Sequence, residues 1–173
     1  RYQDNFQLLF GSVLTSLLIL LLFLLFTGKF MLVFRGSLKD YLHSMLLGFL
    51  NPFLYYLVLF KAYSLLPGQV AQPLNMIWPV VLVLISIPLL GQKIGLKSIL
   101  AMLISFSGII LVSSQGGETN FDGKSIPGIL LALGSSVLWS FFWILNVKNK
   151  RDEIVKLFLN FFFALMFLLI SLP

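Results

Sequence analysis

The run Gln72–Leu90, QPLNMIWPVVLVLISIPLL, carries no charge, and with Val70 and Ala71 it is long enough to cross a bilayer as a helix. It is not a purely apolar span. Gln72, Asn75 and Ser86 are polar, and Pro73, Pro79 and Pro88 each disturb helical hydrogen bonding. At about 100° per residue, Gln72, Asn75, Trp78, Pro79, Leu82 and Ser86 fall within about 60° of Asn75 and share one face. A polar, proline-interrupted face inside hydrocarbon needs a protein partner or a water-filled cavity. The stretch reads as a helix that lines a substrate path.

The remaining composition makes a soluble domain untenable. The chain is 59% hydrophobic and 10% charged, whereas soluble domains carry roughly 25% charge. A lipid bilayer is therefore an expected partner. The net charge of +6 reports orientation in a membrane rather than affinity for nucleic acid, and no nucleic-acid partner is expected. Cysteine is absent, so disulfides and cysteine-based redox or metal sites do not arise in this sequence. The first apolar run is too long for a signal-peptide core and has neither a strongly basic leader nor a small-residue cleavage pattern, so it reads as a membrane helix. An opening on Arg1 and an abrupt close on Pro173 give the expectation of a piece of a longer protein.

Apolar runs predict six spans, at about 6–26, 41–63, 70–90, 94–113, 126–147 and 154–172. Each approaches the ~20 residues that a helix needs to cross a ~30 Å core. The runs are continuous rather than alternating, which excludes a strand barrel. The fold class is all-α, a polytopic transmembrane helix bundle. Pro67-Gly68 marks a tight turn between the second and third spans.

Charge assigns the sides. Lys29, Arg35, Lys39, Lys93, Lys97, Lys148, Lys150, Arg151 and Lys156 are nine of the twelve Lys and Arg, and all follow odd-numbered spans. The positive-inside rule places loops 27–40, 91–97 and 148–156 in the cytoplasm. The loop holding Glu118, Asp122 and Lys124 then faces out, as does Arg1. The start, DNFQLLFGSVLTSLLILL, resembles the end, DEIVKLFLNFFFALMFLL. Their opposite orientations in this topology are what an inverted repeat looks like, and also what two Leu- and Phe-rich spans give by chance.

From Lys61 onward, Ala62–Leu65, Val70–Gln72, the Asn75-x-x-Trp78-Pro79 element, Gly91-Gln92-Lys93 and the GIILV run from Gly108 resemble the drug/metabolite transporter superfamily, EamA type. GILLALGSSVLWSFFWILNVKNK is similar to the first helix of that family's second repeat. The resemblance implies ten helices in two inverted five-helix repeats. Residues 1–125 would hold helices two to five of the first repeat, and 126–173 the first two helices of the second. The Asn75-x-x-Trp78-Pro79 element looks most like the branch of aromatic amino acid exporters. Two positions depart from the pattern: Met76, where that branch often has Tyr, and Gln92, where the superfamily usually has Glu.

The candidate substrate-binding residues lie on three spans. Asn75 and Gln72 are placed to hydrogen-bond an amino or carboxylate group, or equally to tie one helix to another. Trp78 stands ~12 Å along its helix, deep enough to stack on a planar substrate or to pack in the protein interior. Ser86 lies on the same face. On the second span, Ser44, Gly48, Asn51, Tyr55, Val58 and Ala62 share a face. Asn51 either contacts substrate or caps the backbone freed by Pro52. In the family this helix and the next line the central cavity, which implies that Asn51 and Tyr55 face Asn75. On the fifth span Ser136, Trp139, Ser140, Trp143 and Asn146 cluster, with Trp139 and Trp143 as cavity-wall candidates or packing residues. Pro79 and Pro88 are candidate gating hinges, with a static kink as the alternative. Gly128-x-x-x-Ala132-x-x-x-Ser136 and Ala101-x-x-x-Ser105 with Gly108 read as packing ridges. His43, at a membrane boundary, reads as structural.

No acidic residue falls mid-span, which favours a neutral or zwitterionic substrate over a proton-coupled one. No metal, nucleotide or catalytic motif appears, so neither enzyme activity nor a cofactor is expected. The sequence thus predicts transport, in the export direction, of a small polar metabolite, plausibly an amino acid. A carrier of a nucleoside or sugar derivative, and a membrane scaffold or receptor, remain alternatives. Oligomeric state, monomer or homodimer, is left open.

Overall fold

The computed structural model describes residues 5–114 and 125–171. The polar loop with Glu118, Asp122 and Lys124 lies outside the described residues, as do Arg1 and Asp4. The described residues form eight α-helices: α1 Asn5–Phe26, α2 Leu38–Gly48, α3 Tyr55–Leu65, α4 Gly68–Asn75, α5 Trp78–Leu90, α6 Leu96–Ser114, α7 Ile126–Lys148 and α8 Glu153–Ile170. A 3-10 turn spans Phe30–Phe34, and a π-helical segment, Phe49–Leu54, joins α2 to α3. Five segments among the described residues are long and apolar enough to cross a membrane: Asn5–Phe26, Leu38–Leu65, Gly68–Leu90, Ile126–Lys148 and Glu153–Ile170. The remaining expected span, 94–113, falls on α6, where Leu96–Gly108 is a shorter apolar stretch. The chain is a multi-pass helical membrane protein.

Local chemistry sets the element ends. Gly28 and Gly91 take positive φ, 67° and 66°, the left-handed geometry that closes a helix and that a side chain disfavours. At Gly28 the closure includes Lys29 N bonding Leu24 O at 2.9 Å. The second span begins at Leu38, three residues earlier than predicted, because Ser37 and Asp40 form a reciprocal capping box. The loop before it is also not irregular throughout, since residues 30–34 coil tightly. Asp152 caps α8, its side chain accepting from Ile154 N and Val155 N.

Prolines explain the interruptions. Asn51 has extended backbone angles, φ −149° and ψ 125°, within the π-helical segment. The ring of a following proline pushes the preceding residue out of the helical region, and Pro52 does this here. The third span breaks at Met76–Ile77, between α4 and α5. Pro79 sits in the first turn of α5. It has no N–H for the Asn75 carbonyl, and its ring would crowd that carbonyl in a continuous helix. The break therefore precedes Pro79 by two to three residues, and face arithmetic run straight through it does not fix how Asn75 and Trp78 stand to one another; Gln72, which shares α4 with Asn75, is exposed.

The chain divides into two compact units, Arg1–Leu57 with Leu145–Pro173, and Val58–Ile144. In the first, α1 and α2 both pack on α8. The end of α1 meets the start of α8, where Leu24, Val33, Val155 and Leu159 form a buried cluster. These two helices therefore run antiparallel. Lys29 Nζ pairs with Asp152 Oδ2 at 2.6 Å at that end. The α2–α8 contact is closer still. A Cβ on Gly48 would lie 2.3 Å from the Asn160 carbonyl oxygen and 3.2 Å from Ala164 N, so backbone rests on backbone, as small residues permit between membrane helices.

In the second unit α4 packs on α6, and α7 approaches the end of α3. A Cβ on Gly128 would stand 2.6 Å from Leu66 Cγ, and Ala132 is fully buried. The predicted ridge on α7 is thus a packing surface. The ridge expected on α6 is not one at Ala101 and Gly108, which are exposed, and a Cβ on Gly108 would meet nothing within 4 Å. The half-buried stripe of α6 is instead Ile99, Met102 and Phe106, larger side chains that reach further than the small ones.

Two outcomes follow from the first unit. Gly48→Val will lower the detergent melting temperature by an amount equivalent to about 1–3 kcal/mol, while Gly11→Val, with open space around it, will not. A hydrogen bond from Lys29 holds the Asp152 carboxyl below its usual range. The pair's contribution is present above the ordinary carboxyl value of about 3.9 and is lost as pH falls through the lowered one. The stability gap between wild type and Lys29→Met, read by thermal unfolding, will therefore be open at pH 7 and closed in strong acid.

Candidate functional site

The break between α4 and α5 is where the second unit concentrates its polarity. A broken helix leaves backbone groups that hydrocarbon cannot satisfy. Two serines of α7 answer this stretch. Asn75, 1% exposed, donates from Nδ2 to Ser135 Oγ at 2.8 Å. Ser135 is itself fully buried and donates a hydrogen bond to Ala132 O at 2.6 Å. Ser140 Oγ lies 2.9 Å from Trp78 O and 2.8 Å from Ser136 O. A hydroxyl carries one proton, so the two carbonyls share it. Both sides of the break are thereby tied to α7.

Aromatic rings continue the same surface. Trp78 and Trp139 meet edge-to-face, with centroids 6.3 Å apart. Trp139 then contacts Trp143 at 6.2 Å and Phe142 at 5.9 Å. Phe142 is buried, Trp78 and Trp139 are half-buried, and Trp143 is exposed. The arrangement offers flat apolar faces next to amide and hydroxyl groups, a combination suited to a planar solute with a polar end.

The other candidates are placed differently. Gln72 accepts a hydrogen bond from the Tyr63 hydroxyl on an exposed surface. Ser86 is buried, with Oγ 2.7 Å from Val83 O and 3.0 Å from Gln92 Oε1. Gln92, the departure from the family's usual Glu, thus binds back to the end of its own helix. Pro79 opens α5 and Pro88 lies within its last turn. Asn51 and Tyr55 belong to the first unit. Tyr55 is buried against the ring of Tyr56, with centroids 4.9 Å apart. Asn51 Oδ1 is buried without a hydrogen-bond partner among the described residues. His43 Nε2 donates to Leu145 O at 3.1 Å, a structural bond.

Sequence reasoning missed two residues. Ser135 is the direct partner of Asn75, and its only signal was a place beside Ser136 in a small-residue run. Asn160, in the middle of α8, is 1% exposed, and both its amide atoms lack a partner among the described residues, as does Ser44 Oγ. A polar residue inside the run FLNFFF was the signal. Buried groups left unbonded cost about 1–3 kcal/mol each, which marks them as places for water or a solute.

The family model for the EamA-like transporter family matches residues 1–114. The chain belongs to that family. Its members are transporters rather than enzymes. The chain is 29% identical over 98 residues to the aromatic amino acid exporter YddG of Ancylobacter novellus, covering 56% of this chain and 33% of that protein. It is also 29% identical over 125 residues to the uncharacterized transporter YvbV of Bacillus subtilis, covering 70% of this chain and 40% of that protein. The chain therefore spans well under half the length of these curated relatives. No solved structure matches it significantly.

The Asn75–Ser135 tie in this EamA-like chain can be measured directly. A double-mutant cycle with Asn75→Leu and Ser135→Ala, read by unfolding in mixed micelles, will give a coupling of about 0.6 kcal/mol and at most about 1.7 kcal/mol. A coupling of zero would mean that the two side chains do not meet.

Proposed function

We propose that this chain is the middle portion of a carrier that exports a small polar metabolite, an amino acid with a planar or aromatic side chain. The supporting observation is the interrupted helix α4–α5, whose Asn75 and Trp78 meet the Ser and Trp row of α7. Carriers commonly place their sites at unwound points in discontinuous membrane helices, where backbone and side-chain polarity coincide. The name of the Ancylobacter relative points to the same substrate class. In this reading Trp78, Trp139 and Trp143 supply stacking surface, Asn75 hydrogen-bonds the solute's polar end, and Gln72 and Ser86 complete the lining. Asn51 and Tyr55, in the first unit, are proposed separately as solute contacts, Asn51 through an oxygen that has no partner among the described residues.

The mechanism we infer is alternating access in a ten-helix protein of two inverted five-helix repeats, with 1–125 in the first and 126–173 in the second. The irregular points at Phe49–Leu54 and Met76–Ile77 serve as hinges, with Pro79 and Pro88 stiffening the segment beyond the second. Loops 27–40, 91–97 and 148–156 face the cytoplasm of a bacterial inner membrane. Within each compact unit, helices assigned to the two repeats pack together, α8 with α1 and α2, and α7 with α4 and α5.

The test is flux of radiolabelled Trp, Phe and Tyr in proteoliposomes of the full-length protein. Saturable flux is expected. Trp78→Ala will raise the half-saturating concentration about two- to tenfold, the worth of one aromatic contact. Asn51→Leu will reduce flux while leaving the melting temperature unchanged or higher. Absence of flux for any amino acid, in protein that remains folded, would overturn the substrate class and leave nucleoside or sugar derivatives to be screened. Full activity in Asn75→Leu and Trp78→Ala alike would remove the site from this surface.

A further inference from the structure

At one end of the first unit, the loop after α1 meets the turn between α7 and α8, and the acids there are already committed. Asp152 is paired with Lys29 at 2.6 Å, and Glu153 with Lys156 at 2.8 Å. Asp40 Oδ2 accepts from Ser37 N and Ser37 Oγ, each at 2.8 Å. What remains is positive. Lys39, Lys148, Lys150 and Arg151 form no salt bridge among the described residues, and with Asp40, His43 and Asn149 they line an open cavity of about 400 Å³. Four cations thus face one carboxylate that is occupied by its own helix cap.

Arg151 gives the cavity a fixed element. Its guanidinium carbon lies 5.6 Å from the centroid of the Tyr41 ring. Gly36 allows the approach, since a Cβ there would stand 3.1–3.2 Å from the guanidinium atoms. Nη2 reaches Leu32 O at 3.4 Å. Nη1 is buried and has no acceptor among the described residues, and the same is true of Asn149 Nδ2, two residues earlier. The turn carrying both is pinned: Asn149 Oδ1 accepts from Arg151 N at 3.1 Å, and Asn149 O accepts from Lys156 Nζ at 3.0 Å. A guanidinium cannot discharge by losing its proton. An unmet buried donor on it calls for an anionic acceptor, and guanidinium geometry suits phosphate oxygens.

We propose that this cavity binds a phosphate group, Arg151 and Asn149 holding its oxygens while Lys39, Lys148 and Lys150 supply the surrounding charge. The residues sit in the first turns of α2 and around the α7–α8 turn, at the ends of membrane spans. The phosphate of an anionic lipid headgroup lies at that depth, and basic pockets between membrane helices take such headgroups. Free phosphate shares the same chemistry. The proposal concerns a face distinct from the α4–α7 surface and does not depend on which solute is carried.

The test is native mass spectrometry of the full-length protein with phosphatidylglycerol or phosphatidylcholine, with melting temperatures measured in parallel. Wild type is expected to retain phosphatidylglycerol preferentially. The Lys148→Gln/Lys150→Gln variant will hold it about tenfold more weakly, with an unchanged melting temperature in phosphatidylcholine. Lys93→Gln/Lys97→Gln, which removes equal charge from another loop, will bind as wild type. Equal losses in both double variants, or no loss in either, would overturn the site and leave diffuse surface attraction. Arg151→Lys, which keeps the charge but not the fork, is expected to lose the preference, and full retention would also count against the site. Displacement of phosphatidylglycerol by millimolar inorganic phosphate would keep the site and assign it to a free anion.

Discussion

A carbonyl that leaves a helix inside hydrocarbon must find a donor within the protein, because no water is there to serve. This constraint organises the second unit. Pro79 opens the chain at Met76–Ile77, and the stretch is acceptable only because α7 presents Ser135 and Ser140 where Asn75 and the Trp78 carbonyl need them. The small side chains that let α7 come close are also the ones that carry the hydroxyls. Gly128 and Ala132 bring the helix in, and the serines one and two turns later complete the bonding. Packing and polarity are thus encoded in a single run, GILLALGSSVLWS.

The first unit meets the same requirement with less completeness. Its π-helical segment is held by aromatic contacts, Phe49 and Phe53 against Phe167 at 5.3 and 5.6 Å, and among the described residues Asn51 Oδ1, Ser44 Oγ and both amide atoms of Asn160 in this unit find no partner. The buried side-chain groups without partners among the described residues thus fall in this unit. In a protein whose family moves solutes, the open groups are the natural places for transient bonds. The bonded ones serve better to keep a broken helix from unravelling.

Much of this was legible in the residues. Helix ends lie close to the ends of apolar runs because such runs stop at charges, as at Lys148 and Asp152. Pro67-Gly68 and Gly91 marked turns correctly because their conformational demands are local. Tertiary choices were less legible. That Asn75 would choose Ser135 rather than its neighbour Ser136 depends on how α7 is rotated, which periodicity leaves undetermined. Gln72 stands about 60° from Asn75 on the same helix α4 and is nonetheless exposed, because periodicity does not say where the buried stripe ends. The start of α2 moved because a capping box outweighs hydropathy at a helix end. Asn160 was overlooked because six apolar neighbours drowned its signal.

The contact between Gly48 and the Asn160 carbonyl bears on how such a protein can move. Helices that meet through side chains can slide, because rotamers re-form on either side of a small displacement. Where peptide planes touch, no layer of that kind exists to absorb shear. On the proposed carrier mechanism, α2 and α8 travel as a single plank. Deformation is left to the few residues whose backbone already departs from helical geometry, so the stiffness of one seam selects where the rest of the molecule bends.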